Sequence, residues 1–565
     1  PHAHDGPRAP ADQEHPVTDS APAPRLTPQT AAALAADLRQ LPFTHAAIES
    51  LLGPVAAAAL EREHAEAARA VLADRQRRGD TGPLDAAVSA WLLGDDVSAE
   101  ALERALPRLG VDGARAAGLV ADGGAGEGPE RRVRGLVDLS PYDTDVPGHL
   151  WVASDQTALQ RRGPLPEDYV LGVGRASLTL AGAADRTRAD TALDLGTGCG
   201  VQTLHLLAHV QHVTATDLSE RCLAFTRFNL MLNAETLGLD RQDLGARVEL
   251  LAGDMLAPVA GRRFDRIVTN PPFVITPRRD PHAPVLTYRD GGREGDRLVA
   301  ELMAALPEHL TPAGQAVLLA NWEIPEGADD PLARPLAWIP ETADAWLIQR
   351  DRQDPAGYAE TWLQDSSLEL DPAAYQRAYA DYVADFAERG VAGVGFGYVW
   401  MRRPALEGAP AVASGRTAPE PSRLRVAETL TQQVDPAIGA DWTAAVARRD
   451  RLAACDAAQA AGEEGFAGLV LRVPGHVTEE RHARFGAEHP EVILARQGGG
   501  LRRVATLDTA TAGLLSAADG QVPVGALIGA VSGLLELDDQ SSARFVQAVR
   551  GLYCDGFLEE VTTAG

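Results

Sequence analysis

Four short pieces of this sequence end aliphatic or β-branched runs in residues that can accept hydrogen bonds. They are Asp194-Leu195-Gly196-Thr197-Gly198-Cys199-Gly200, Ala215-Thr216-Asp217-Leu218, Ala252-Gly253-Asp254-Met255 and Thr269-Asn270-Pro271-Pro272-Phe273. Together they read as the carboxyl ends of consecutive parallel strands, where open α/β sheets bind ligands. In the first piece, glycines permit backbone angles closed to other residues and let a ligand come close. That loop lacks both the dinucleotide-binding spacing and the Lys-Ser/Thr pair of a phosphate loop. Asp217 follows roughly twenty residues on, where an acid can accept from both hydroxyls of a ribose. Asp254, at a third strand end, can accept from the exocyclic amine of an adenine. Each acid alone reads equally well as a helix cap; the ordered set of three argues for a nucleoside site.

Asn270-Pro271-Pro272-Phe273 carries the most specific chemistry. Two prolines fix the backbone and remove two donors, leaving nearby carbonyls outward and unpaired. The Asn270 amide oxygen and the Pro271 carbonyl can then accept both hydrogens of a planar –NH2 group. Phe273 offers a face for stacking.

With these motifs, residues 165 to 325, under a third of the chain, resemble a known family. They are similar to the class I S-adenosylmethionine-dependent methyltransferases with an Asn-Pro-Pro-Phe/Tyr motif. Within these they resemble the small-domain group, which includes the release-factor glutamine and the ribosomal-RNA guanine-N2 methyltransferases. The resemblance implies S-adenosyl-L-methionine as cofactor. Asp194, Gly196, Thr197, Gly198 and Gly200 would wrap its methionine part. Asp217 and Leu218 would hold the ribose, and Asp254 and Met255 would border the adenine. Asn270 would touch cofactor and target alike, and with Pro271, Pro272 and Phe273 would hold the target nitrogen. Tyr288-Arg289-Asp290-Gly291-Gly292-Arg293-Glu294-Gly295 resembles the Asp-Gly-Gly stretch that follows this loop in the glutamine enzymes. Their arginine-proline segment before the first strand is replaced here by Val173-Gly174-Arg175-Ala176. Arg278, Arg279 and Tyr288 are the candidates for meeting substrate. The implied reaction is methyl transfer to a planar amine or amide nitrogen. An exocyclic base nitrogen of ribosomal or transfer RNA is the first reading, a protein or peptide glutamine amide the second, and a catalytically silent cofactor-binding scaffold the third.

The elements around the motifs set further bounds. The 565 residues suffice for three or four domains. Net charge is −27, and every one of the 52 positive side chains is Arg. That acidity argues against broad, nonspecific nucleic-acid binding but leaves room for a local arginine patch. Cys199, Cys222, Cys455 and Cys554 are scattered without metal-ligand spacing, so no metal is expected and a reducing, cytoplasmic setting fits. No apolar run approaches the roughly 18 residues of a membrane span.

The expected fold class is α/β: a Rossmann-like methyltransferase domain with a seven-stranded, mostly parallel sheet. Its bounds are 165–404, with a helical insertion at 354–389 whose aromatics at helical spacing read as core, or as a cap on the site. A disordered tail (1–24), an N-terminal helical, winged-helix-like domain (25–120) and a small β layer or linker (121–164) precede it. A Pro/Ala/Gly/Ser linker (405–422) and a C-terminal winged-helix-like α+β domain (423–565) follow. RNA or protein partners, no membrane and a homodimer complete the expectations.

Overall fold

The computed structural model describes residues 22–124, 131–144, 148–161, 165–278, 289–365, 371–404 and 424–561. The expected tail up to residue 21 and the 405–422 linker lie outside them. At the centre is an eight-stranded sheet. Its strands are β1 (Ala189–Leu195), β2 (Val210–Asp217), β3 (Val248–Ala252), β4 (Phe264–Thr269), β5 (Leu310–Pro325), β6 (Asp344–Gln353), β7 (Val391–Arg402) and β8 (Arg425–Thr429). Across the sheet they lie in the order β3-β2-β1-β4-β5-β7-β6-β8. β1 to β5 are parallel, β7 runs antiparallel between β5 and β6, and β8 is parallel to β6. The strand order reverses at β1 and β4, whose carboxyl ends are where open α/β sheets take their ligands.

The seven-stranded expectation is therefore one strand short. β8 lies in the segment assigned to the C-terminal domain, past the linker. It pairs with β6 from Ala345↔Arg425 to Gln349↔Thr429 and covers an edge that would otherwise present a row of unpaired backbone groups.

Both faces of the sheet are covered, which is why its strands read as unbroken apolar runs. Ala192, Val213, Val268, Val317 and Trp346 face one core, and Leu193, Ile267, Leu318 and Leu347 face the other. On the first face lie α1 (Val201–Leu206) and α2 (Glu220–Asn233). Two asparagines one turn apart on α2 act as strand partners. Asn233 accepts from Trp151 N–H at 2.9 Å and donates to the Trp151 carbonyl at 2.7 Å. Asn229 does the same with Ala153, at 2.8 and 2.9 Å. They complete the edge of a hairpin formed by Asp138–Tyr142 and Leu150–Ser154. After β4 the chain forms α3 (Arg297–Ala305). The insertion between β6 and β7 is a helix pair, α4 (Pro355–Asp365) and α5 (Pro372–Glu388).

In the N-terminal segment, helices precede and interrupt a three-stranded antiparallel sheet of Val97–Ser98, Arg132–Gly135 and Val120–Asp122. The strand Arg132–Gly135 is central there, so the boundary drawn at 120/121 cuts one sheet in two. After β8 come α6 (Gly439–Ala460) and an antiparallel meander of Val477–His482, Val492–Gln497 and Val504–Leu507. Neither stood out in the sequence: α6 is alanine-rich, and the meander strands are largely exposed. In the final helical stretch a strand, Asp519–Pro523, separates the first two of three helices and pairs with Val470–Arg472. No described helix is long and apolar enough to cross a membrane.

Candidate active site

Three left-handed glycines shape the loop after β1: Gly196 at φ +74°, Gly198 at +59° and Gly200 at +92°. They serve two ends. A Cβ on Gly200 would press on Thr226 Cγ2 at 3.0 Å, so this glycine lets α1 pack. A Cβ on Gly196 or Gly198 would meet nothing within 4 Å, so these two line open space.

The loop is tied down from both sides. Asp194 is buried, and its Oδ2 accepts from Thr197 Oγ1 at 2.7 Å, Thr203 N–H at 2.9 Å and Thr203 Oγ1 at 2.7 Å. Its Oδ1 is buried with no hydrogen-bond partner among the described residues. Burial pushes this carboxyl up to about 6. Gly196 N–H and Thr197 N–H both donate to the Thr216 carbonyl at 2.9 Å. Asp217 Oδ2 accepts from Gly198 N–H at 2.9 Å and Oδ1 from Ser219 N–H at 2.9 Å. Burial raises the Asp217 carboxyl as well. Gly253 N–H in turn donates to the Asp217 carbonyl at 2.9 Å, bringing the third motif to the second. Asp254 is exposed there, Met255 takes a left-handed φ of +44°, and the Leu218 side chain stands 65% exposed.

The fourth motif meets the first through Thr269, whose Oγ1 donates to the Leu195 carbonyl at 2.8 Å. Asn270 follows, and its Oδ1 is buried with no partner among the described residues. Phe273 forms an antiparallel bridge with Asp290, and Val274 N–H donates to the Arg289 carbonyl at 2.8 Å. A Cβ on Gly291 would stand 3.0 Å from the Pro272 carbonyl and 2.8 Å from Leu298 Cδ2, so only glycine lets the Asp-Gly-Gly stretch lie this close.

One expected substrate contact is otherwise engaged. The Arg278 guanidinium donates to Asp290, so an acid of the same loop pair holds that charge. Arg279 and Tyr288 lie outside the described residues. A cleft of about 1130 Å³ opens at the amino ends of the strands between Asp190, Arg247, Asp265 and Thr311, and contains none of the motif residues.

Residues 172–328 match the family model described as methyltransferase small domain, and residues 40–131 match one described as a domain of unknown function, DUF7059. The chain is 33% identical over 180 residues to the ribosomal protein uL3 glutamine methyltransferase of Bradyrhizobium diazoefficiens, which uses 29% of this chain and 52% of that protein. It is 30% identical over 133 residues to the ribosomal RNA small subunit methyltransferase C of Alcanivorax borkumensis, covering 24% and 33%. With the release factor glutamine methyltransferase of Deinococcus radiodurans it shares 31% identity over 218 residues, 35% of this chain and 69% of that protein. The chain belongs to the methyltransferase small-domain family. It spans about half the length of the uL3 relative.

In this member of the small-domain family the four motifs lie together at neighbouring strand ends. What the sequence did not reveal is the second set of side chains that hold them. The hydroxyls of Thr203 and Thr269 fasten the strand ends, and Asn229 Nδ2 also donates to the Cys199 carbonyl of the glycine loop at 2.8 Å. From the insertion, Tyr358 and Trp362 reach the Pro-Pro loop; the Trp362 ring meets Phe273 edge-on at 6.3 Å. Their spacing was visible, but it reads equally as ordinary core.

Proposed function

We propose that the protein is an S-adenosyl-L-methionine-dependent N-methyltransferase acting on a planar nitrogen, and that its acceptor is a side-chain amide of a protein or peptide. The observation that carries the reaction is Asn270 Oδ1, a buried acceptor without a partner among the described residues, held beside the glycine loop through Thr269. The cofactor suits the residues present. Gly196 and Gly198 face open space, Asp194 at the same strand end keeps one oxygen without a partner among the described residues, and Leu218 offers an exposed apolar face next to Asp217. These residues, with Asp254 and Met255, would hold it. When bound, it supplies a methyl group made electrophilic by a sulfonium.

The protein's part is then alignment and charge stabilisation. Asn270 Oδ1 and the Pro271 carbonyl accept from the two N–H groups of the target. That draws the nitrogen from planar toward tetrahedral geometry and frees a lone pair for in-line attack. The same oxygens stabilise the positive charge growing on nitrogen. After transfer the methylated nitrogen loses one of its two protons to solvent, so no strong base is required.

What supports a polypeptide over RNA is charge. The helix pair beside the Pro-Pro loop exposes Asp354, Glu360 and Asp371, with Asp381 half-buried, against one exposed cation, Arg377, and Arg278 is paired with Asp290. A phosphate chain approaching Asn270 would cross this acidic cap and lose the counterion-release term that drives RNA binding. The RNA reading keeps one support, the likeness to the ribosomal RNA methyltransferase of Alcanivorax borkumensis.

The test is transfer from labelled S-adenosylmethionine into an extract of the source organism lacking this gene. Label removed by protease and resistant to nuclease is the expected result. Nuclease-sensitive label would establish the RNA reading instead, and no label in either fraction would sink both.

A further inference from the structure

The helix pair inserted between β6 and β7 does more than bury apolar surface. α4 turns Tyr358, Trp362 and Asp365, spaced four and three residues apart, toward the catalytic loop. Three successive loop residues are held by what it presents. Ile275 N–H donates to Tyr358 Oη at 2.8 Å. Phe273 meets the Trp362 ring edge-on. Between them, Val274 N–H donates to the Arg289 carbonyl, and Arg289 Nη1 donates to the Trp362 carbonyl at 2.9 Å and to Asp365 Oδ2 at 2.8 Å. The Arg289 guanidinium also lies 5.9 Å above the Trp362 ring.

Tyr358 is the fixed point of this arrangement. It is fully buried, stacks on Phe396 of β7 at 5.7 Å and 22°, and meets Phe386 of α5 edge-on at 5.5 Å. Its hydroxyl also takes a hydrogen bond from Asn321 Nδ2 on β5 at 2.9 Å. One phenol oxygen thereby joins the loop, the insertion and the sheet.

We infer that Tyr358 is a positioning residue for the reaction: it sets the Pro-Pro loop, and through it the Asn270 and Pro271 oxygens, at the height the target nitrogen needs. This inference rests on the N-methyltransferase reading. The target must sit in line with the methyl group, and a displacement of about 1 Å can cost on the order of 10²-fold in rate.

Tyr358→Phe removes only the oxygen and keeps the ring contacts. It leaves Ile275 N–H without its acceptor. Calorimetry should find S-adenosylmethionine affinity unchanged, while label transfer into the gene-deleted extract falls at least tenfold in kcat with KM for S-adenosylmethionine unchanged. Hydrogen exchange at the Ile275 amide should accelerate. Tyr379→Phe, which removes a hydroxyl of the same cap bonded to Glu360, is the control and should change none of these. Unaltered kcat and unaltered Ile275 exchange in Tyr358→Phe would overturn the inference. Absence of transfer by the unaltered protein would sink the methyltransferase reading instead, and Ile275 exchange would still decide whether Tyr358 holds the loop.

Discussion

An amide oxygen buried without a partner costs about 1–3 kcal/mol. Asn270 Oδ1 is such an atom among the described residues, and a target N–H would relieve it. Replacing Asn270 by Ala should therefore leave the fold intact and cofactor affinity nearly unchanged, while turnover falls by about 10²-fold, the scale of a lost preorganised contact. Asp194 allows a second prediction at this scale. Burial raises its carboxyl to about 6, against roughly 3.9 in an unfolded chain. A raised folded value means that stability is greatest below the unfolded value and declines as pH rises through about 6. Asp194→Asn removes that dependence. Its melting temperature relative to the unaltered protein should thus climb between pH 5 and pH 7.5. A difference that stays flat with pH would show that Asp194 is not the buried titrating group. Asp194, Asp217 and Asn270 were legible in the sequence because each ends an apolar run. Their holders were not: the bond from Thr269 to Leu195 and that from Ile275 to Tyr358 join residues far apart in the chain.

At the scale of elements, the glycine loop carries the sharpest expectation. A side chain in left-handed backbone costs roughly 1–2 kcal/mol. Gly198 and Gly261 both take this conformation over open space, but only Gly198 faces the proposed cofactor. Gly198→Ala and Gly261→Ala should lose similar stability by thermal denaturation, whereas only Gly198→Ala should lose cofactor affinity, by at least tenfold. Equal affinities in the two variants would move the cofactor elsewhere. The parallel strands and the insertion were readable from apolar runs and from aromatic spacing. The two asparagines of α2 were not, because a helix residue serving as a strand partner leaves no periodic signal.

At the scale of the whole molecule, β8 joins the C-terminal segment to the catalytic sheet. Arg503 of the meander donates to both oxygens of Glu428 on β8, each at 2.6 Å, and Trp346 Nε1 of β6 donates to Glu428 Oε1 at 2.7 Å. With both ionic side chains largely buried, truncating one leaves the other uncompensated. Glu428→Ala should lower stability by about 3 kcal/mol, read as a shift of the urea midpoint. An unchanged midpoint would mean that the C-terminal segment is only loosely attached. Composition did not foretell this strand. Its residues, Arg425–Thr429, are only partly buried, and its partner lies beyond a Pro-rich stretch that reads as a domain boundary.

The most direct test of the central claim joins binding and transfer in one pair of proteins. S-adenosylmethionine affinity by calorimetry and label transfer into the gene-deleted extract would be measured for the unaltered chain and for Asn270→Ala. Equal affinity and about 10²-fold slower transfer by the variant are expected. Lost affinity with undiminished transfer per bound cofactor would contradict that claim, making Asn270 a cofactor ligand rather than the residue that holds the target nitrogen.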